Sequence, residues 1–495
     1  MKKIYALLTA LLLAIAAGAQ TLNVKVGSVT YQFPAAQTGE MTYDDGQTMT
    51  IMGKTFTLGD ISAMTVDQSE VTDGVVSVSY DGSSATVTVA GNVAQYVTPT
   101  VSGAHVSIAQ SDDLAEEITY TLSGTSTDGE FYMSGSYKAT LELNGLTLTN
   151  ATPVYSGAAI HIQNGKRIKV KPVTGTTNTL VDAVGGSQKG CLYIKGHAEF
   201  AQKGTLNVVG NVKHGIKTGE YFTIKNATIN ITSAIGDGIN CGQFFLMESG
   251  SITINGTQDD GIQCDIDDTD TYPTGTGETT DHEDEDSGNI YIEGGTLNIS
   301  VTADAAKGIK SEGDMRISSG DITVTTAGGG VWDSDKVKTK ASACLGADGN
   351  VYIKGGLVYA IGASSPEVAI DANSEEQKKL YVQGGTLVAI GGLERGASLT
   401  QSCYSTNSWN KNTWYALTVG SDVFAFKTPS SGGSTMVVSG ASQPSLKSGV
   451  TVSSGTNIFD GVGYTGATVS GGSNVNLSSY TGGNQPGGGG PGGRH

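Results

Sequence analysis

A short pattern, in which any residue is followed by Gly, Ile and a polar residue, returns at intervals of about 23 residues. It occurs as HGIKT at 214–218, DGINC at 237–241 and DGIQC at 260–264, and again as KGIKS at 307–311 after about two further intervals. A period of this length predicts a solenoid, because such a repeat cannot bury its apolar face alone and must stack on its neighbours. This interval constrains the fold more than any other feature of the sequence.

Each interval also holds two short alternating strands that are separated by a turn containing Gly. Examples are YFTIKNATINI at 221–231 and FFLMESGSITI at 244–254, and neither shows helical periodicity. Three short strands and three turns fit into one interval when each strand residue advances the chain by roughly 3.3 Å. The sequence therefore predicts an all-β protein built on a right-handed parallel β-helix, a single-stranded solenoid. Small β modules precede this solenoid, and an irregular β cap follows it.

Strand alternation divides the side chains of each coil between an inner and an outer face. The Ile residues of the repeated pattern are predicted to form one inward stack, namely Ile216, Ile239, Ile262 and Ile309. The Gly before each of them is expected to allow a turn conformation that a Cβ atom would disfavour. The first strand of each coil is predicted to add a second inward stack, namely Ile224, Met247, Ile292, Ile317, Ile353 and Val382.

The cysteines fit the same alternation. Cys241 and Cys264 follow the inward Ile by two residues and are predicted to be buried thiols, with a disulfide between them as the alternative. Cys191 and Cys344 are expected to occupy the Ile position itself.

The start of the sequence predicts export. Lys2 and Lys3 precede a short apolar run, and Ala17-Gly18-Ala19 supplies the small residues of a cleavage site. No later apolar run reaches about 18 residues, so no transmembrane segment is predicted. The predicted segments are a signal peptide at 1–19, β modules at 20–110, the parallel β-helix at 111–400, a β cap region at 401–481 and a disordered Gly-rich tail at 482–495.

The charge of the chain limits its partners. The net charge is −18, with 29 basic against 47 acidic residues, which argues against nucleic acid because phosphates require a basic surface. It also disfavours acidic polymers unless a cation bridges them. Residues 265–287 contain ten acidic residues and interrupt the repeat. This insertion is interpreted as a solvated loop, with a cation site as the alternative.

Several motifs in order resemble those of a known family. YTLSG at 120–124, LELNGLTLTN at 141–150, GAAIHI at 157–162 and GTLNVVGNVKHGIKTG at 204–219 are followed by DGIN and DDGIQ. This succession resembles the carbohydrate-binding β-helix family of secreted bacterial domains, which share the fold of pectate lyases. The resemblance covers roughly 105–400. It implies binding of plant-type, cellulose- or pectin-like polysaccharides and the presence of structural calcium.

Two of the four repeated patterns begin with Asp, which suggests a local cation site. Carboxylates on successive coils would lie about 4.8 Å apart and would repel one another without a hard cation. The predicted calcium ligands are the carboxylates of Asp237, Asp259 and Asp260 and the amide oxygens of Asn240 and Gln263. His214 and Lys307, on the flanking coils, are expected to limit the site as cations. The alternative is that each Asp caps its own Gly turn by hydrogen bonds.

Outward positions of the first strands are rich in tyrosine. Aromatic rings beside polar groups suit sugar rings, although these residue types also favour exposed parallel ladders for their own sake. The predicted sugar-binding residues are Tyr193, Tyr291, Arg316, Tyr352 and Tyr381. A neighbouring face is predicted to present Asn207, Asn230, Thr253, Asn298, Thr323 and Tyr359.

These features favour a non-catalytic polysaccharide-binding protein, and no catalytic residue is assigned. The first alternative is a calcium-dependent polysaccharide lyase of the pectate type, for which Lys217 and Lys310 lie on the same turn as the Asp residues. The second is a structural or adhesive rod at the cell surface. Arg is scarce and absent beside the Asp pair, which is why binding is preferred to lyase activity. The sequence leaves the oligomeric state open.

Overall fold

The computed structural model describes residues 21–44, 46–266, 286–332, 339–365 and 368–482. The predicted signal peptide at 1–19, most of the acidic insertion and nearly all of the Gly-rich tail lie outside these residues. The described residues are almost entirely β, as predicted. Their helical segments are four short 3₁₀ turns at Leu58–Asp60, Gly91–Tyr96, Ser374–Glu376 and Phe459–Gly461. None of the described helices has the length and apolar character needed to cross a membrane.

The chain divides into two compact units, Met1–Leu206 and Asn207–His495. The strands of the first unit are β1 (Thr21–Val26), β2 (Val29–Pro34), β3 (Thr42–Asp44), β4 (Thr48–Ile51), β5 (Lys54–Thr57), β6 (Ile61–Asp67), β7 (Val75–Asp81), β8 (Ser84–Ala90), β9 (Val97–Ser102), β10 (His105–Gln110), β11 (Ile118–Ser126), β12 (Glu130–Ser134), β13 (Ala139–Thr149), β14 (Ile160–Gln163), β15 (Ile168–Pro172), β16 (Thr177–Val181), β17 (Gly190–Ile194) and β18 (Ala198–Phe200). Strand β19 (Thr205–Gly210) spans the division.

The first unit combines antiparallel and parallel pairing. Strand β1 pairs antiparallel with β2 and β6, and β3, β4 and β5 form a small antiparallel sheet. Parallel pairing joins β7 to β11, β11 to β13 and β13 to β15, and a second parallel row runs through β10, β12, β14 and β17. Because β7 and β10 lie in the predicted N-terminal modules, the boundary near residue 110 is not a break in strand pairing.

In the second unit three strands recur per coil. One row is β20 (His214–Thr218), β23 (Ile239–Cys241), β26 (Ile262–Cys264), β29 (Lys307–Ser311), β34 (Ala343–Ala347) and β37 (Ile370–Ala372). A second is β21 (Phe222–Ile224), β24 (Phe244–Met247), β27 (Asn289–Ile292), β30 (Met315–Ile317), β35 (Val351–Ile353) and β38 (Leu380–Val382). The third is β22 (Thr228–Ala234), β25 (Ser251–Thr257), β28 (Thr296–Val301), β31 (Asp321–Thr326), β36 (Leu357–Ile361) and β39 (Thr386–Ile390). Within each row, successive strands pair parallel.

The strand registers confirm the predicted inward stacks. Ile216 pairs with Ile239, Ile239 with Ile262 and Ile262 with Ile309, and all four side chains are buried. The predicted first-strand stack is likewise continuous from Ile224 to Val382. Equivalent apolar side chains therefore lie directly above one another from coil to coil.

The glycine of the repeated pattern has a different role from the one predicted. Gly215, Gly238 and Gly261 do not adopt the left-handed conformation. Instead, a Cβ atom at Gly238 would lie 2.7 Å from the carbonyl oxygen of Gly261 on the next coil and 2.7 Å from Cγ2 of Ile254. Gly is needed because the coils approach one another closely at this point, so the turn-conformation prediction was wrong.

The cysteine predictions are partly corrected. Cys241 and Cys264 pair in register as buried thiols that are not joined by a disulfide. Cys344 does not occupy the Ile position, because Leu345 pairs with Ile309 and Cys344 lies one residue earlier. Cys191 likewise lies one residue before Leu192, which pairs with Ile160. Both thiols are nevertheless buried, because consecutive residues of β17 and β34 are buried on both faces of the strand.

The remaining strands follow or interrupt the coils. They are β32 (Val331–Trp332), β33 (Thr339–Lys340), β40 (Ser398–Leu399), β41 (Cys403–Thr406), β42 (Trp414–Val419), β43 (Asp422–Lys427), β44 (Met436–Ser439), β45 (Ser445–Ile458), β46 (Gly463–Asn474) and β47 (Ser478–Tyr480). Strands β42, β43, β46 and β45 close into a barrel, and β44 pairs antiparallel with β39. Phe424 and Phe426 of the barrel pack on Tyr359 of β36, so an aromatic core joins the barrel to the last coils.

The close approach at the repeated glycine generates a stability prediction. Gly238→Ala should lower the free energy of unfolding by about 1–3 kcal/mol, because the added methyl group meets packed backbone and side-chain atoms. Gly165→Ala is the matched control, since nothing lies within 4 Å of its Cβ position and its conformation is not left-handed. Urea unfolding of both variants should show a loss only for Gly238→Ala. Equal midpoints would contradict the packing role.

Candidate functional site

The residues that lead the first three repeated patterns accept hydrogen bonds from the coil that follows. The N–H of Asp237 donates to Nδ1 of His214 over 3.1 Å, and the N–H of Asp260 donates to Oδ1 of Asp237 over 3.1 Å. The N–H of Lys307 donates to Oδ1 of Asp260 over 2.6 Å. His214, Asp237 and Asp260 therefore each supply an acceptor to the next coil, whereas the side chain of Lys307, which β34 follows, has only donors. This agrees with the capping alternative, except that each side chain caps the next coil and not its own turn.

The same turns gather three carboxylates. Asp237, Asp259 and Asp260 each place one oxygen within 4.8 Å of the others. Among the described residues this is the one group of three possible metal-ligating side chains of these types. Asp237 and Asp260 are buried and Asp259 is exposed, so the cluster opens to solvent on one side.

Burial makes the charges of this cluster costly. It raises the pKa of Asp237 to about 7, an effect that the neighbouring charge of Asp260 increases. It also raises the pKa of Asp260 to about 6, against the opposing charge of Lys310. A nearby cation would favour the ionised forms of both groups. The carboxylates are thus arranged so that bound positive charge would stabilise the folded protein.

The side-chain amides of the two predicted amide ligands donate hydrogen bonds to carboxylates. Asn240 donates through Nδ2 to Oδ2 of Asp237 over 2.7 Å and to Oδ2 of Asp265 over 3.2 Å, while its oxygen accepts from Lys217. Gln263 donates to the carboxylate of Asp265. In this arrangement Asn240 orients Asp237, while its own amide oxygen faces Lys217. The sequence position of Asp265 could have indicated its role, because residues two apart on a strand share a face.

The flanking cations also differ from expectation. Burial, together with the charges of Lys213 and Lys217, lowers the pKa of His214 to about 3. His214 is therefore neutral at neutral pH, which agrees with its accepting an N–H at Nδ1, and the prediction of a cation there was wrong. The charge of Lys307 does act on Asp260 and opposes the rise in its pKa that burial causes, as does that of Lys310, whose Nζ lies 3.9 Å from Oδ2 of Asp260. Burial opposes the charge of Lys310, but Asp260 and other carboxylates outweigh this effect and raise the pKa of Lys310.

Four of the five predicted sugar-binding residues form a continuous ladder. Tyr291, Arg316, Tyr352 and Tyr381 pair in register on successive strands and are half-buried. The guanidinium carbon of Arg316 lies 5.8 Å from the ring centre of Tyr291 and 5.6 Å from that of Tyr352. The rings of Tyr352 and Tyr381 stack with centres 4.8 Å apart and planes 7° apart. These four residues are named the tyrosine–arginine ladder below.

The fifth residue, Tyr193, was misplaced by the prediction. It lies on β17 of the first unit, where it pairs with His161 of β14, and not on a first strand of the coil. The stretch CLYIKG resembles first strands such as VYIKGG, which explains the error. The predicted neighbouring face is partly lost. Tyr359 is buried under the barrel, Thr323 is also buried, and Asn298 donates to the carboxylate of Asp460. Asn207, Asn230 and Thr253 keep part of their surface exposed.

A family comparison applies to most of these elements. Residues 102–394 match a family model described as carbohydrate-binding domain-containing protein, which is more than half of the chain. The chain belongs to this family. The resemblance stated from the sequence motifs is confirmed in this respect.

One curated relative and one solved structure add to the comparison. A carbohydrate-binding domain-containing protein of Acetivibrio thermocellus is 28% identical over 109 residues, which cover 20% of this chain and 37% of the relative. This chain thus matches little more than a third of that relative's length. A solved structure titled as a polysaccharide lyase-like protein from C. thermocellum, a gadolinium derivative, covers 57% of this chain and 93% of its own at 21% identity. Its TM-score of 0.36 is too low to support a conclusion.

The hydrogen bonds between coils generate a prediction that is independent of any metal. In the presence of a chelator, Asp237→Ala should cost about 1–3 kcal/mol of unfolding free energy, because the buried N–H of Asp260 loses its acceptor. Asp237→Asn retains a side-chain oxygen and should cost less than Asp237→Ala. Chemical unfolding of both variants measures the difference. A loss that is equal or larger for Asp237→Asn would contradict the capping role.

Proposed function

We propose that this protein is an exported, non-catalytic polysaccharide-binding protein. Its repeat region is a right-handed parallel β-helix that holds structural calcium, and its ligands are plant-type glycans of the cellulose or pectin kind. The observation that carries the proposal is the tyrosine–arginine ladder, which lies within the matched range of a carbohydrate-binding family. The parallel registers and the recurring set of three strands per coil support the helical architecture.

The chemistry of the ladder suits a sugar chain. Tyrosine rings offer flat apolar surfaces to the C–H faces of pyranose rings, and their hydroxyl groups reach ring substituents. Arg316 adds donors between Tyr291 and Tyr352, and its Nη2 is held 3.3 Å from Oδ2 of Asp314. A side chain fixed in this way loses little freedom on binding. The ladder is therefore a pre-organised strip that can contact several successive sugar units.

The carboxylate cluster supports the calcium part of the proposal. Calcium takes six to eight oxygen ligands and favours carboxylates. Asp237, Asp259 and Asp260 supply three such donors, and two of them are buried with raised pKa values. Bound calcium would neutralise this repulsion and so act as a structural ion. Backbone carbonyls and water would complete the shell, since the amides of Asn240 and Gln263 are engaged elsewhere.

The lysine beside the cluster favours binding over catalysis. A lyase base must release its proton near neutral pH, which requires a lysine of lowered pKa. The carboxylates around Lys310, Asp260 above all, raise its pKa instead, which favours the charged form as long as no cation is bound beside them. The lyase alternative offers Lys217 and Lys310 as candidate bases. Lys217 donates to Asn240, and Nζ of Lys310 lies 3.9 Å from Oδ2 of Asp260. The rod alternative predicts no glycan binding at all.

The ladder generates a binding prediction. Tyr352→Ala/Tyr381→Ala should weaken binding of cellohexaose or hexagalacturonate at this strip at least tenfold, equal to about 1.4 kcal/mol, because two stacking surfaces are lost. Tyr43→Ala is the matched control, since Tyr43 is 42% exposed and lies outside the ladder. Calorimetry on the full chain measures both. Unchanged binding by the double variant would exclude the ladder, and unsaturated uronide products from pectate would exclude a non-catalytic role.

Calcium should also stabilise the protein. Free calcium at a concentration 100 times its dissociation constant would add about 2.7 kcal/mol to the free energy of unfolding, because the ion binds only the folded state. We expect excess calcium to raise the melting temperature of the parent relative to chelator, and this shift to disappear in Asp237→Asn/Asp260→Asn. Asp422→Asn, an exposed carboxylate of the barrel, is the control and should keep the shift. An equal shift in parent and double variant would place calcium elsewhere.

A further inference from the structure

A second group of rings lies in the first unit and is separate in sequence from the ladder. Tyr132 of β12, His161 of β14 and Tyr193 of β17 pair in register on parallel strands. The ring centres of Tyr132 and His161 are 5.0 Å apart with the planes 84° apart, and those of His161 and Tyr193 are 4.7 Å apart with the planes 39° apart. Tyr155, from the loop after β13, stacks on Tyr132 at 4.9 Å with the planes 20° apart. These four residues are named the first-unit platform.

A buried carboxylate fixes the loop that carries Tyr155. Oε1 of Glu130 accepts the N–H of Val154 over 2.7 Å and the N–H of Tyr155 over 3.2 Å. Oε2 accepts from Nδ2 of Asn150 over 3.1 Å, and His105 binds Oε1 through Nδ1 over 2.8 Å. Both carboxylate oxygens of Glu130 are therefore engaged in hydrogen bonds that hold this loop against the sheet. The position of the Tyr155 ring is therefore set before any ligand arrives.

A second loop is fastened to the first. The N–H of Ala183 donates to the carbonyl of Gly157, and the N–H of Ser187 donates to that of Ser156, both over 2.9 Å. The two loops expose apolar side chains, with Val154 at 55%, Tyr155 at 37% and Val184 at 84% exposure. Large apolar side chains that are exposed on loops fixed by hydrogen bonds indicate a binding surface.

Polar groups border the rings. Ser156 Oγ lies 2.8 Å from Nδ1 of His161, and Gln163 Oε1 lies 3.0 Å from Nε2. Burial lowers the pKa of His161, so the ring is neutral at neutral pH and adds no charge to the platform. Lys189 extends over Tyr193, with Nζ 5.9 Å from the ring centre. Flat rings edged by hydroxyl, amide and ammonium groups match the alternation of C–H faces and hydroxyls on a pyranose chain.

We infer that the first-unit platform is a second carbohydrate-binding surface, which stacks neutral pyranose rings on Tyr132, Tyr155 and Tyr193. This inference rests on the proposed polysaccharide binding, and residues 132–193 lie within the range matched by the carbohydrate-binding family. Because the Lys189 ammonium group would attract a uronate, uncharged cellohexaose is the ligand that tests ring stacking alone. The platform is complete within one unit and needs no residue of the ladder.

Calorimetric titration of the full chain with cellohexaose tests this inference. The parent should bind two molecules per chain, and Tyr155→Ala/Tyr193→Ala should bind one. Tyr155→Phe keeps the ring and should bind as the parent does. Tyr43→Ala is again the control, and circular dichroism of each variant confirms that it is folded. Combining the platform and ladder substitutions should abolish binding.

The outcomes separate this inference from the proposed function. If the parent binds cellohexaose and Tyr155→Ala/Tyr193→Ala binds it with the same stoichiometry and affinity, the platform is not a sugar site, whereas the proposed function stands. If the parent binds neither cellohexaose nor hexagalacturonate, both are overturned, and the exposed rings and valines would then fit a protein partner. Loss of binding in Tyr155→Phe would contradict stacking as the mode of recognition.

Discussion

The close approach of successive coils at the glycine of the repeated pattern is the constraint on which the second unit depends. The backbone of one coil contacts the carbonyl of the next so closely at Gly238 that no Cβ atom fits. On these coils the contact accompanies the direct stacking of the inward Ile residues from Ile216 to Ile309. A shift by one residue would turn every inward side chain outward, which the buried stacks do not allow.

The same contact explains where the acidic residues lie. The residue before the glycine faces the N–H of the equivalent residue on the next coil, so it is a hydrogen-bond acceptor in His214, Asp237 and Asp260. Two of these acceptors are buried carboxylates, and Asp259 brings a third beside them. The Asp side chains therefore serve as hydrogen-bond acceptors between coils, and the concentration of negative charge is a consequence of that role. A bound cation would relieve that charge without disturbing the hydrogen bonds between coils.

Much of the second unit could be predicted from the sequence because its contacts repeat. The interval gave the register, and alternation gave both the inward stacks and the ladder from Tyr291 to Tyr381. The errors have local or long-range causes. Tyr193 was misplaced because two kinds of strand share the letters YIKG. Tyr359 is buried by a barrel that begins over 50 residues later, and no local pattern indicates such a contact.

The site was less predictable than the fold. Asn240 and Gln263 are residue types that can bind calcium through their amide oxygens. The orientation of each amide, however, is set by hydrogen bonds to Asp237 and Asp265. His214 was expected to be charged, but burial keeps it neutral. The platform was missed because its rings come from three strands and one loop, and Glu130, which holds that loop, is distant from Tyr155 in the chain.

The most direct test of carbohydrate binding by this fold is a crystal structure of the full chain with calcium and cellohexaose. Binding by the repeat region predicts density for sugar rings against Tyr352 and Tyr381 and for an ion among Asp237, Asp259 and Asp260. Crystals that diffract well but show sugar on neither the ladder nor the platform at saturating cellohexaose would contradict it.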